Sequence, residues 1–357
     1  MTSTLSCCLP CPLEHWVYSD SLERNLHIAY WFSVPALILQ VFLLATFFFL
    51  PADKSHRHYL STALCVSLVL LELCFIIPLG TRPSLCYDAV TPADMHSSLS
   101  CAWTGALMEF GAMAACVWIL LRSLWTHLRV VWDLKHTSTY MWIAQALGWG
   151  LPTLFLAISM PITGVSYRVG TTCIPNEYGA FTTWFGWLIG FGCLAALIQF
   201  ATTGFCLGVY ARTLWTGSSR DPASGTTSAT TGSDTAGLQQ AESQCTLSST
   251  QLGKRIAWRR VKKVMILQWR SILLGIFVII EAVFFGTVFV QQTKSAEENR
   301  NPDRRPDIDS WSTCLVLSGG DKNKCLGQAK VLGLNEATVV ASLFMSAVSF
   351  RGCFQST

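Results

Sequence analysis

Five ionisable side chains lie inside otherwise apolar stretches of the sequence: Glu72, Glu109, Arg122, Arg270 and Glu281. A charge at the centre of a bilayer costs roughly 2.5–3.5 kcal/mol unless it is paired or hydrated, so each of these positions needs a chemical reason. The three acids fall in the outer half of their stretches. Carboxylates facing one cavity there would suit a cationic or hydrogen-bond-donating ligand. The two arginines fall in the inner third, where they could tie helix ends together or meet a partner's carboxylates and backbone carbonyls. Structural readings stand beside these: Arg122 is near enough to the interface to snorkel, and Glu72 can simply hydrogen-bond a neighbouring helix. Enzyme chemistry is not visible. No metal set with zinc-ligand spacing, no Gly-rich phosphate loop and no nucleophile elbow can be read. No cofactor is expected, and without a lysine in the middle of the last apolar stretch a retinal Schiff base has no attachment point.

The elements that must hold these residues are helices in lipid. The chain is 51% hydrophobic and 13% charged, whereas a soluble chain carries roughly a quarter charged residues. Apolar windows predict seven spans, near 27–50, 59–79, 102–124, 140–160, 181–209, 264–290 and 332–350. Basic residues of the short connections (Lys54 and Arg57, Arg129 and Lys135, and the run Lys254–Lys263) mark the cytoplasmic side, so the amino terminus is outside. The expected organisation is an all-α seven-transmembrane bundle. It has a short extracellular segment at 1–26, spans one to five with their loops over 27–215, and a disordered Ser/Thr/Gly-rich third cytoplasmic loop at 216–253. A basic helix extension and span six follow at 254–290, an outer loop at 291–331, and span seven with a truncated end at 332–357.

Of fifteen cysteines, eight fall outside by this topology: Cys7, Cys8, Cys11, Cys86, Cys101, Cys173, Cys314 and Cys325. An even number on the oxidising side suggests disulfides. The favoured pair is Cys101 with Cys173, which would pin the second outer loop over span three. Cys314 and Cys325 share one loop and could close it locally. Cys86 and the amino-terminal cysteines cannot be paired from sequence. Cys65, Cys74, Cys116, Cys193 and Cys206 lie in spans and read as packing residues.

In span three, FGAMAACVW (Phe110–Trp118), with Trp125 seven residues after Trp118, resembles the third helix of the Frizzled/Smoothened family. LQWRSILL around Arg270 resembles that family's inner end of helix six, and TTC at Thr171–Cys173 its second outer loop. GWGLP (Gly148–Pro152) is similar to the fourth-helix signature of the secretin/adhesion family, as is the spacing from Trp118 to His127. The chain thus resembles the broad secretin, Frizzled and cyclic-AMP-receptor-like group of seven-helix receptors, in its short-ended fungal and protist form.

The resemblance implies a multi-pass plasma-membrane receptor that relays an extracellular signal to a heterotrimeric G protein. Glu109, Glu281 and Glu72 are the expected ligand-pocket residues. Arg270, Arg129, Lys135, Lys262 and His127 are expected at the inner switch and G-protein-facing surface. Gly148, Trp149, Gly150 and Pro152 are expected to pack span four on span three, because small residues let helix backbones approach. A segment of 26 residues is too short for a folded ligand-capturing domain, which points to a small molecule in preference to a large protein. Membrane lipids are further partners, and the modest net charge of +4 does not imply nucleic acid. The alternative is a channel or transporter whose path follows the acids.

Overall fold

The computed structural model describes residues 11–12, 14–49, 59–134, 137–167, 170–176, 178–218 and 305–329, together with Ile276, Ile280 and Val283. The expectations for Lys135, Lys262, Arg270 and Glu281, for span seven and for most of span six and the third cytoplasmic loop lie outside these residues.

Ten regular elements matter here. They are α1 (Glu14–Val17), α2 (Asp20–Phe49), α3 (Tyr59–Thr81), α4 (Leu99–Val131), α5 (Thr137–Ile162), β1 (Val165–Tyr167), β2 (Cys173–Pro175), α6 (Gly186–Ser218), α7 (Arg305–Leu317) and α8 (Lys322–Ala329). A π-helical turn, Phe181–Phe185, leads into α6. Helices α2 to α6 are long and apolar enough to cross a membrane.

The helices outrun the apolar windows that announce them. Span one begins at Asp20 and not at His27, because Asp20 and Glu23 occupy its first turn and complement the helix dipole. Span three starts at Leu99, where the Ser98 hydroxyl accepts the Cys101 N–H at 3.3 Å as an N-cap, and continues to Val131. The fifth span runs on to Ser218, into the stretch expected to be disordered. The described part of the outer loop at 291–331 carries α7 and α8.

Helix α4 is the spine. In its most apolar window 61% of the residues are buried, against 11% in α2, whose Phe42, Phe48 and Phe49 stay exposed as lipid-facing side chains do. Glycines set how close its neighbours come. A Cβ on Gly111 would lie 2.8 Å from the Leu71 backbone nitrogen of α3, and one on Gly148 of α5 would collide with the Trp118 ring. Around that contact Trp149 meets Trp118 edge-on at 5.5 Å and stacks on Phe110 at 6.2 Å. Near the inner end the Tyr140 hydroxyl donates to the Leu121 carbonyl. Gly150 faces open space and plays no part in this packing.

Candidate functional site

The outer end is assembled from segments far apart in the chain. β1 and β2 form an antiparallel hairpin in the loop after α5, with Ser166 opposite Ile174. Cys173 of this hairpin is joined to Cys101 of α4, and both cysteines are fully buried. The loop between α3 and α4 runs alongside, with the Met95 N–H donating to the Val165 carbonyl at 3.1 Å and the Tyr167 N–H to that of Ala93 at 3.2 Å. Its own turns are held by carboxylates. Asp88 accepts the N–H groups of Val90 (3.0 Å) and Thr91 (2.7 Å), which hold its carboxyl below the usual range. Partial burial works to raise the Asp94 carboxyl, but hydrogen bonds from Ser97 and His96 outweigh it and leave it lowered.

Two further bridges complete this cap. Cys11 is bonded to Cys86, tying the amino-terminal segment to the first outer loop. Cys314 and Cys325 close the α7–α8 hairpin. That hairpin packs on the amino-terminal segment through Val17, Trp311 and Leu315. Lys322 of α8 forms an ion pair with Asp20 of α2, and His15 Nδ1 lies 3.4 Å from Glu23 Oε2.

Beneath these contacts is a cavity of about 380 Å³. Leu22, Leu26 and Tyr30 of α2 and Leu85 of the first outer loop give it an apolar floor, and Gly170 and Thr171 of the second outer loop form one wall. Charged and titratable groups gather at the mouth: His15, Asp20, Glu23, Arg24, His27 and Lys322. Gly170 has φ +73°, and a Cβ there would strike the Tyr30 hydroxyl, so glycine is what lets this loop close against α2. Among the described residues, neither Glu72 nor Glu109 lines this cavity.

Glu72 and Glu109 are each 1% exposed, and neither carboxylate makes a hydrogen bond of normal geometry among the described residues. They turn to different helices: Glu72 comes within reach of Ser33 on α2, Glu109 of Ser159 on α5. The backbone at Glu109 is fixed by Trp184 of the π-helical turn, whose indole N–H donates to the Glu109 carbonyl at 3.1 Å. The arrangement expected from the sequence, acids converging on one cavity, is not what links these two.

At the inner end His127 Nδ1 lies 2.9 Å from the Thr202 hydroxyl, joining α4 to α6. The Thr202 hydroxyl also lies 2.7 Å from the Ile198 carbonyl, the acceptor one turn back on α6. Arg129 is exposed, with its guanidinium 5.8 Å from the Trp125 ring centroid. Within the fourth-span segment, Trp149 donates to Gln145 at 3.0 Å and Pro152 is fully buried.

Sequence reasoning missed the Cys11–Cys86 bridge and the cavity. Cysteine parity on the outer side was the only signal for the bridge. The cavity carried a weaker one: Glu23 and His27 sit at helical spacing across the outer edge of the first apolar window.

The model of the "7 transmembrane receptor (Secretin family)" matches residues 20–216. "G protein-coupled receptor gprM" of Aspergillus fumigatus is 36% identical over 350 residues, covering 97% of this chain and 67% of that protein. "Vasoactive intestinal polypeptide receptor" of Carassius auratus is 24% identical over 148 residues, 40% of this chain and 32% of its own length. "Vasoactive intestinal polypeptide receptor 1" of Mus musculus is 24% identical over 143 residues, 40% and 29% respectively. Of the two likenesses read from motifs, the match falls on the secretin side. A helical membrane bundle with this match and this relative is a G-protein-coupled receptor, and the chain belongs to the secretin family of seven-transmembrane receptors.

Proposed function

We propose that this receptor sits in the plasma membrane, binds a small extracellular molecule at its outer end, and couples that event to a heterotrimeric G protein. The observation that carries this reading is an asymmetry. Covalent bridges tie the outer segments together, whereas the inner ends of α4 and α6 meet through the His127–Thr202 hydrogen bond. A bundle stapled on one side and breakable on the other suits a population shift in which the inner end of span six swings outward.

In this mechanism Arg270 stabilises the closed inner end. Arg129, Lys135 and Lys262 border the docking surface, with the basic stretch 254–263 extending span six toward the G protein and anionic lipid. His127 reports the closed state by holding α4 to α6. Glu109, Glu72 and Glu281 act as polar groups on the inner walls of the bundle that distinguish the two conformers, not as a conducting row.

The test is reciprocity, because two coupled sites must alter each other's affinity equally. Solubilised receptor is incubated with a panel of nucleotide-free Gα subunits and co-purified, then challenged with GTP. Retention of one Gα that GTP releases supports the reading. Failure with every subunit, from receptor shown to retain its Cys101–Cys173 bridge, rejects it.

A further inference from the structure

We propose that the outer cavity is a binding site for a small amphipathic carboxylate, with its anionic head on Arg24 and its apolar body on Leu22, Leu26, Tyr30 and Leu85. The proposal rests on the receptor reading and names the chemistry of its ligand.

Size is the first argument. About 380 Å³ lies near the lower end of the roughly 300–1,000 Å³ typical of small-molecule sites, too little for a folded partner. The floor is the second. Leu22, Leu26 and Tyr30 share one helical face at spacings of four residues, and with Leu85 they supply the apolar part of the lining.

Charge decides the head group. Of the carboxylates at the mouth, Asp20 is paired with Lys322, and Glu23 lies 3.4 Å from His15. A cation entering here would compete with Lys322 for Asp20. Arg24 lines the same cavity; it acts on Asp20 through space, but no carboxylate is in ion-pair contact with it among the described residues. It is exposed, so water satisfies it until an anion arrives. A guanidinium matches a carboxylate with two parallel N–H donors, which an ammonium cannot do.

Placement gives the site its consequence. The walls come from the amino-terminal segment, α2 and all three outer loops, so one occupant touches every outer segment at once. Seated against Arg24, it lies beside the Asp20–Lys322 pair that joins α2 to α8, and the stapled cap links that pair to the outer end of α4.

The probe is decanoate carrying a diazirine on its chain, photolysed with the full-length receptor in lipid nanodiscs and mapped by mass spectrometry. Label is expected on peptides containing residues 15–30, 85, 170–171 and 322. Octanoate should compete and octylammonium should not. Arg24→Gln, a change at an exposed position, should weaken octanoate competition about tenfold, the worth of a charge-assisted hydrogen bond. Leu85→Trp, which fills the floor, should remove the label. Label confined to lipid-facing residues such as Ile38 and Phe42, equal competition by octylammonium, or undiminished octanoate competition in Arg24→Gln would each overturn the proposal. Nucleotide exchange on added Gα is read in the same nanodiscs. Exchange without specific label sinks the site and leaves the receptor reading intact. Specific label with no Gα exchange in any condition does the reverse.

Discussion

Single residues in this bundle matter where they leave no room. Gly148 and Gly150 belong to one short motif, yet only Gly148 has a neighbour, the Trp118 ring, that a side chain would strike. Gly148→Val should therefore destabilise the solubilised receptor by about 1–3 kcal/mol or prevent its folding, as overpacking does. Gly150→Val should be close to neutral. Thermal unfolding of both variants checks this, and equal losses would mean that the pair acts through helix propensity instead. Asp94 gives a second expectation. Its carboxyl is lowered in the fold, so the turn's stabilisation is fully present above the ordinary value of 3.8 and is lost as pH falls through the lowered folded value. Hydrogen exchange of the 94–98 amides, corrected for intrinsic rates, should lose protection on acidification in the parent protein. In Asp94→Asn the profile should be flat.

Among the elements, the amino-terminal segment depends most on what holds it. Helix α1 is four residues long and has no stability of its own, so its place rests on the Cys11–Cys86 bridge and on contacts with α7 and α8. Cys86→Ser should free this segment, with a local cost of about 2–4 kcal/mol. Residues 11–19 should exchange hydrogen faster while the Cys101–Cys173 bridge still forms. Unchanged exchange there would show that the apolar contacts of Val17 and Trp311 are sufficient alone. The same cap explains why α2 begins at Asp20. Its first turn stands above the apolar window, in contact with α8 and the outer loops, and serves as a wall of the cavity.

For the molecule as a whole, the governing property is how the two ends differ. If the inner ends of α4 and α6 are held closed by the His127–Thr202 bond, removing it without changing shape should favour the open conformer. Thr202→Val should raise ligand-independent nucleotide exchange on Gα, and Arg270→Ala should act in the same direction. A single hydrogen bond of about 1 kcal/mol would shift the open population around fivefold. Basal exchange at the parent level, with normal surface expression, would remove both residues from the switch.

Much of this architecture could be read in one dimension. A bilayer demands apolar runs of a set length and excludes charge from them, so composition and spacing announce helices α2 to α6 and mark Glu72 and Glu109 as buried acids. Within span four only Gly148 meets the Trp118 ring, because a backbone can approach that closely only where no Cβ intervenes, and the motif by itself does not tell Gly148 from Gly150. Helix ends were less legible, since a dipole complemented by Asp20 and Glu23 or a Ser98 cap extends a helix past the hydrophobic edge. Which acid faces which helix, which cysteine meets Cys86, and how His15, Asp20, Arg24 and Lys322 come to surround one cavity depend on contacts between opposite ends of the chain. No local propensity encodes such contacts; they arise when lipid and disulfides force the segments together, and so they appear in the folded protein alone.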